Sequence, residues 1–304
     1  SSEHEARLTA EHLVGANLAG HDSHGVGMVP RYVSSLLNDE LQLNQRVTIA
    51  HDAGTLVTVD GRRGIGQSVT HQAMEIAIAR ARAHGVCVMG LKHAHHLGRV
   101  GHWAEQAVAA GMGSIHFTNV GSSNGLVAPW GGAEGRFLTN PFTGGVPRPG
   151  LDTDGNPTTD PSAMFEPKDG RIGALMPFAQ HKGYALAMVC ELLGAALIGG
   201  ETMHPAIRSK GVWNNMLAIV FDPSRLGTGA HFEREARAFA EGVQSARLGE
   251  IGRAPGGILM PGDPERRSRA ARAQLIPVDA GTMAEMDAAS AKIGARFGQS
   301  PGPL

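Results

Sequence analysis

The stretch KHAHHLGRVGHW, residues 92–103, sets four histidines, one arginine and two glycines within twelve residues. Three kinds of chemistry fit it. A metal centre would take His93 and His95, which point the same way if a strand runs through them, with His102 as a third ligand. Zinc sites draw three or four ligands and surround them with supporting hydrogen bonds. The stretch itself holds no carboxylate, and Glu105 lies a turn into the helix expected next. A proton-transfer site would use one imidazole, which ordinarily titrates at about 6.5 and so holds or releases a proton near neutrality. Its glycines would let a substrate approach the backbone, and Arg99 could grip a carboxylate or phosphate through two parallel bonds. The third possibility is a solvated polar loop, which leaves a cluster of cations at the ligand edge of a sheet unexplained.

Four other stretches carry reactive residue types. HDSHG (21–25) presents Ser23 and His24 before a glycine, where a histidine at a helix boundary is more often a cap or surface residue than a catalyst. RFLTNPFTGGVP (136–147) offers the Thr139 and Asn140 side chains, with Pro141 expected to keep Asn140 extended; a plain polar turn fits as well. AQHKGYALA (179–187) puts His181 and Lys182 just before a helix, where amide N–H groups favour an anion. ILMPGDPERR (258–267) carries Gly262, Asp263 and Glu265 in what reads first as turn chemistry. A Rossmann fingerprint is missing: GIGQS, GMGSIH and GTGAHF each lack the third glycine, and none joins a strand to a helix.

The positioning elements follow from periodicity. Ala10, Leu13, Val14, Asn17 and Leu18 predict an opening helix, ended by the HDSHG loop. A second helix starts near Pro30, with Val29, Val33 and Leu36 on one face. TLVTVDG alternates and ends in a turn signal. A helix from Gln67 to His84 places Met74, Ala77, Ile78 and Ala81 on one stripe. GVCVMGL (85–91) reads as a buried strand followed directly by the histidine loop. Val100, Trp103, Ala104, Ala107 and Val108 then mark a helix, and SIHFTN another strand. This is a βαβ unit with the histidines at the carboxyl end of its first strand, where ligands of open α/β sheets gather. Residues 120–180 are irregular. A helix after Lys182 carries Leu186, Val189, Cys190, Leu193 and Leu197 in register. MLAIVFD is a strand, a further helix covers about 231–246, and a last one groups Met286, Ala289, Ile293 and Phe297. GQSPGPL reads as a frayed tail.

With 304 residues, 42% apolar and 18% charged, the composition is that of a globular protein of one large or two intimate domains. Its net charge of −1 and lack of a basic block argue against nucleic acid. The most apolar stretch, YALAMVCELLGAALIGG, is interrupted by Glu191 and too short to span a bilayer. No secretion signal opens the chain, and Cys87 and Cys190 read as buried free thiols of a reducing compartment, so a cytoplasmic location is expected. Glycine is unusually frequent at 42 residues, which suits a loop-rich cofactor protein.

Taken together, GHDSHGVGMVPRYV, HHLGRVGHWAE, VAPWGG, TNPF, NPTTDP, HKGYALAMVCELLGAALIGG and LMPGDPE resemble the malate/L-lactate dehydrogenase family, in the family's order and over nearly the whole chain. The likeness is greatest to its hydroxycarboxylate dehydrogenase B subgroup. The resemblance implies an α/β, non-Rossmann NAD(P)-binding fold of the L-sulfolactate dehydrogenase type. A helical substrate domain would come from residues 1–55 and 230–304, with an α/β cofactor domain at 56–229. It implies NAD or NADP, with NAD favoured, acting on a 2-hydroxy or 2-oxo acid in a homodimer with active sites near the subunit interface. His96 and His24 take the places of the catalytic histidines. Cofactor contacts fall on Ser23, His24, Gly98, Thr139, Asn140, His181, Lys182, Asn214, Gly262, Asp263, Pro264 and Glu265. Where many members carry a substrate-binding arginine this chain has Met28, and Arg99 stands where many have a small residue. Arg99, with Arg31, is therefore expected to hold the substrate carboxylate. A cofactor-contacting family strand that follows GVPRPG has no counterpart, because Gly150 runs directly into Leu151. The competing expectations are a metal-dependent hydrolase or lyase using His93, His95 and His102, and a non-catalytic ligand-binding relative.

Overall fold

A computed structural model of the protein describes residues 1–122, 125–141, 150–151, 157–158, 174–177, 179–204, 211–248 and 257–298. Most of the motif NPTTDP, all but Pro157 and Thr158, most of GVPRPG and the last residues of GQSPGPL lie outside the described residues. The chain divides into two compact units. One comprises Ser1–Thr9 and Ser35–Phe221, the other Ala10–Ser34 and Asp222–Leu304.

The first unit is built on strands β1 (Thr48–Ala53), β2 (Leu56–Asp60), β3 (Val86–His95) and β4 (Gly113–Gly121). Three short strands, β5 (Gly150–Leu151), β6 (Pro157–Thr158) and β7 (Ala174–Leu175), form a separate small sheet in the order β6-β5-β7. A last strand, β8 (Trp213–Phe221), completes the main sheet, whose order is β1-β2-β3-β8-β4. Only its β2/β3 pairing is parallel; the others are antiparallel. The sheet holds one parallel crossover, from β2 through GIGQS and the helix it opens to β3, contrary to the expectation that none of the glycine stretches joins a strand to a helix; with its other pairings antiparallel and the third glycine absent, it is not the doubly wound parallel sheet of a Rossmann fold. The expected βαβ unit is altered in the same way. β3 and β4 do not pair, because β8 lies between them and bonds to both. Adjacency in sequence could not reveal a strand inserted from a hundred residues downstream.

Helix α3 (Gly66–His84) covers the sheet, and the structure buries its predicted stripe: Met74, Ala77 and Ala81 are fully enclosed and Ile78 nearly so. They meet Val59, Met89, Leu91, Met216 and Val220 in one core. The helix stops at Gly85, whose φ of 93° suits the left-handed residue that ends helices, its N–H reaching the Ala81 carbonyl. Helix α4 (Gly101–Ala109) buries Trp103 and Ala107, but Val108 is exposed, so the stripe is narrower than its spacing predicts. Helix α5 (His181–Gly194) ends before Leu197, which lies exposed in a short turn instead of continuing the stripe. Cys87 and Cys190 are both buried and unbridged, and burial pushes each thiol up to about 11, which keeps it protonated and inert.

The opening helix α1 (Glu3–Leu18) begins in the first unit and continues into the second. It buries Leu13 and Asn17 while Ala10 and Val14 stay outside. α2 (Val29–Leu37) follows the HDSHG loop. The rest of the second unit is α6 (Gly229–Gln244), α7 (Asp263–Ala271) and α8 (Ala280–Phe297). α7 begins inside the stretch read as a turn, with Pro264 in its first turn, where a missing N–H costs nothing. On α8 Ala289 is buried but Phe297 is exposed. α6 buries none of its residues and leaves Phe232 and Phe239 exposed. The boundaries differ from the expected ones: β1, placed by sequence with the helical domain, belongs to the sheet unit.

Candidate active site

β3 extends four residues beyond the predicted GVCVMGL run, so His93 and His95 lie on the strand and not in a loop. Its ladder with β8 is interrupted between Leu91 and Ala94, and His93 takes a left-handed φ of 54° there. The two histidines differ in exposure. His93 is partly exposed, and its Nδ1 lies 2.9 Å from Asp60 Oδ2 at the end of β2. His95 is 3% exposed. His102 sets its ring edge-on to Trp103 at 5.0 Å. Among the described residues no three His, Cys, Asp or Glu side chains are grouped to hold a metal ion. The described residues therefore do not assemble the ligand set on which the hydrolase alternative depended.

His96 follows as the chain leaves the sheet. Its carbonyl closes against Gly66 at the start of α3; a Cβ there would come within 2.1 Å of that oxygen. Gly98 turns the chain with a φ of 71°. The Leu97 N–H donates to Asn214 Oδ1 at 2.8 Å in a buried bond. Arg99 is 9% exposed and paired with Glu105 on α4, so its guanidinium is oriented and partly neutralised by the protein's own carboxylate.

Asn140 is buried with a positive φ of 34°, not the extended conformation that Pro141 predicts. Its side chain explains the exception. Oδ1 accepts the Val120 N–H at 3.0 Å, and Nδ2 donates to Glu191 Oε1 at 2.8 Å. Thr139 beside it is exposed. His181 and Lys182 occupy the exposed first turn of α5. Asn214 has both ends of its amide engaged, since Nδ2 donates to the Asn119 carbonyl at 2.9 Å.

A cavity of about 650 Å³ opens in the same unit, with Asp60, Arg62, Arg63, His93, His95 and Trp213 among its walls. None of the residues expected to hold substrate or cofactor lines it. Arg62 and Arg63 sit at the centre of a tight turn closed by the Gly64 N–H on the Gly61 carbonyl, with φ of 52° and 58°. Left-handed values at both positions ordinarily call for Asn-Gly, so two arginines are strained there. The sequence signal was present in DGRRG but read only as the end of a strand.

In the second unit the HDSHG and PGDPE stretches, more than two hundred residues apart in sequence, are laced together. His21 Nε2 approaches Glu265 Oε1 at 3.5 Å. Asp22 pairs with Arg272, and Arg272 also donates to the Asn17 carbonyl. Asn17 donates to Asp22 and accepts the Val26 N–H. Ser23 Oγ lies 2.9 Å from His24 Nδ1. Burial, then the nearby His21, lowers the His24 pKa, which keeps the imidazole neutral at pH 7. Gly262 adopts a φ of 87° before α7. Asp263 accepts the Met260 N–H and, with Arg266 beside it, is held below the usual carboxylate range. Pro264 and Glu265 follow in the first turn, while Arg31 is exposed on α2.

The profile of the malate/L-lactate dehydrogenase family matches residues 1–150 and 149–287. A hydroxycarboxylate dehydrogenase B of Escherichia coli is 40% identical over 331 aligned positions, covering 97% of this chain and 89% of that protein. An L-lactate dehydrogenase of Cupriavidus necator is 37% identical, covering 89% and 86%. The structure of sulfolactate dehydrogenase from Methanocaldococcus jannaschii superimposes with a TM-score of 0.82 at 27% identity, covering 96% of this chain and 92% of that one. The two family blocks meet where Gly150 joins Leu151, and the E. coli alignment is longer than this 304-residue chain, so the relative carries internal residues that this chain lacks. With an α/β architecture, a mixed non-Rossmann sheet and a family match over residues 1–287, the chain belongs to the malate/L-lactate dehydrogenase family.

Proposed function

We propose that this chain interconverts a 2-hydroxy acid and a 2-oxo acid, with NAD or NADP as the partner in hydride transfer and NAD the first to test. The observation that carries the reading is His96, a partly exposed imidazole on a segment fixed at the carboxyl end of β3 by Gly66 and Asn214. Bound nicotinamide supplies or accepts the hydride. The described residues fit such a group: α5 opens with exposed His181 and Lys182, and the positive end of a helix suits a pyrophosphate. Thr139 and Gly98 are further contacts in the sheet unit, which serves as the cofactor part. In the helical unit Ser23, His24 and Gly262–Glu265 are the cofactor contacts.

In the reductive direction protonated His96 donates to the carbonyl oxygen as negative charge builds there; in oxidation the same nitrogen takes the hydroxyl proton. His24, neutral through burial, accepts or passes a hydrogen bond and does not compete as an acid. Arg99, held by Glu105, and Arg31 are the proposed partners of the substrate carboxylate. The protein is proposed to act in the cytoplasm as a homodimer, and the exposed Phe232 and Phe239 of α6 offer apolar surface suited to burial against a second copy.

The test follows NADH and NADPH absorbance with a panel of 2-oxo acids, in the parent and in His96→Asn. Turnover falling by about a hundredfold or more in the variant, with cofactor affinity kept, is the expected result. Unchanged turnover rejects His96 as the proton donor. No oxidation of either dinucleotide with any 2-oxo acid rejects the reaction class.

A further inference from the structure

Beneath the His96 segment, four asparagines and one glutamate form a continuous hydrogen-bonded chain. Asn119 and Asn215 are fully buried, and Asn214, Asn140 and Glu191 are at most 5% exposed. The Asn215 amide donates to Asn119 Oδ1 at 2.9 Å, and Asn119 donates in turn to Glu191 Oε2 at 3.0 Å. Glu191 also accepts from Asn140 and from the Met203 N–H. No cation appears among these bonds; the carboxylate is held by neutral donors.

The placement of this chain is specific. The β3/β8 ladder is interrupted at His93, resumes at Ala94 and His95, and ends there, so the His93 and Leu97 amides lie outside its regular pairing. Two consecutive β8 residues pair with them: Asn215 Oδ1 accepts the His93 N–H at 3.0 Å, and Asn214 Oδ1 accepts the Leu97 N–H at 2.8 Å. Neighbours on a strand face opposite sides, so the pair reaches the exit of β3 from both. The far end of the chain holds Asn140, next to Thr139, and Glu191, on the helix whose first turn bears His181 and Lys182. Filling the same space with apolar side chains would avoid the cost of burying so many polar groups, but would leave the His93 and Leu97 amides unpaired.

We infer that Asn214 is a positioning residue for His96: by holding the peptide that follows the imidazole, it fixes the direction from which the proton is delivered, and the Asn119–Glu191–Asn140 chain ties that setting to the Thr139 turn and α5. This rests on the proposed role of His96. It also assigns Asn214 differently from a direct cofactor contact, because both ends of its amide are already used by the protein.

The experiment compares Asn214→Ala, Asn214→Asp and His96→Asn in steady-state kinetics across pH, with circular dichroism to confirm folding. Asn214→Ala should lower kcat by roughly 10- to 100-fold, the scale of a small misplacement of a reacting group, with the Michaelis constant for the dinucleotide unchanged. Asn214→Asp keeps the acceptor for the Leu97 N–H and adds negative charge. It should recover most of kcat and move the His96-dependent limb of the pH profile upward, because a nearby anion favours imidazolium. A folded Asn214→Ala enzyme with the parent's kcat and pH profile overturns the inference. So does a raised Michaelis constant for the dinucleotide with kcat unchanged, which would restore Asn214 as a cofactor contact. If Asn214→Ala does not fold, an Asn214→Asp enzyme with an unmoved limb overturns it alone. Full turnover in His96→Asn removes the role of His96 itself and the inference with it, whereas an inactive His96→Asn beside an unaffected Asn214→Ala removes the inference only.

Discussion

The two histidine-bearing segments are held by opposite means. His96 sits on a segment fixed by buried amide bonds and a backbone contact at Gly66. The HDSHG loop has one buried anchor, the Asn17 amide, and is otherwise fastened from outside, by the Asp22–Arg272 pair and the longer His21–Glu265 contact, with Asp22 half exposed. Buried neutral hydrogen bonds are insensitive to salt and costly to break singly, because the abandoned partner stays unsatisfied. Exposed ion pairs are weak and screened. The first segment is therefore built for fixed geometry and the second for adjustment at low cost.

The largest expected effect comes from cutting the buried chain. Glu191→Leu strands donors on Asn119, Asn140 and Met203, and should cost on the order of 3–5 kcal/mol in urea unfolding. A cost under about 1 kcal/mol would show that water or a rearranged core replaces the carboxylate. Gly66→Ala comes next. Its Cβ meets the His96 carbonyl, and because backbone cannot rotate aside as a side chain can, we expect about 3 kcal/mol together with reduced turnover.

An acid titration sharpens the comparison from within the sheet. Burial lowers His116 on β4 to about 4, from an ordinary 6.5. The unfolded chain therefore takes up a proton over this interval while the folded one does not. The stability present above pH 6.5 is lost as pH falls toward 4, and His116→Gln should flatten that limb of the melting curve against pH. The smallest effect belongs to the outside fastening. Arg272→Ala should shift the unfolding midpoint only slightly, and about 1 M salt should erase most of the difference between variant and parent.

Some of this was legible in sequence and some could not be. The α3 stripe was clear because four apolar residues repeat at helical spacing on one buried face. The motif stretches identified the family because their order spans the chain. What escaped was nonlocal. β8 enters between β3 and β4 from far downstream, and nothing in either strand announces it. Asn119, Asn215 and Glu191 look like ordinary polar residues until the fold brings them within bonding distance. Asn140 was expected to be extended by the rule for residues preceding proline, and its buried amide bonds outweigh that local preference. The break in the β3/β8 ladder at His93 escaped too, because a strand irregularity leaves no mark on a string of letters.

The Arg62–Arg63 turn points to an opportunity for engineering. Left-handed backbone costs roughly 1–2 kcal/mol at each ordinary residue, a penalty that Asn-Gly largely escapes. Writing that dipeptide into the corner should raise the melting temperature while stripping two positive charges from the neighbouring cavity wall. A protein hardened in this way, with its chemistry either intact or altered, would reveal whether that corner is merely tense or is kept taut for a guest.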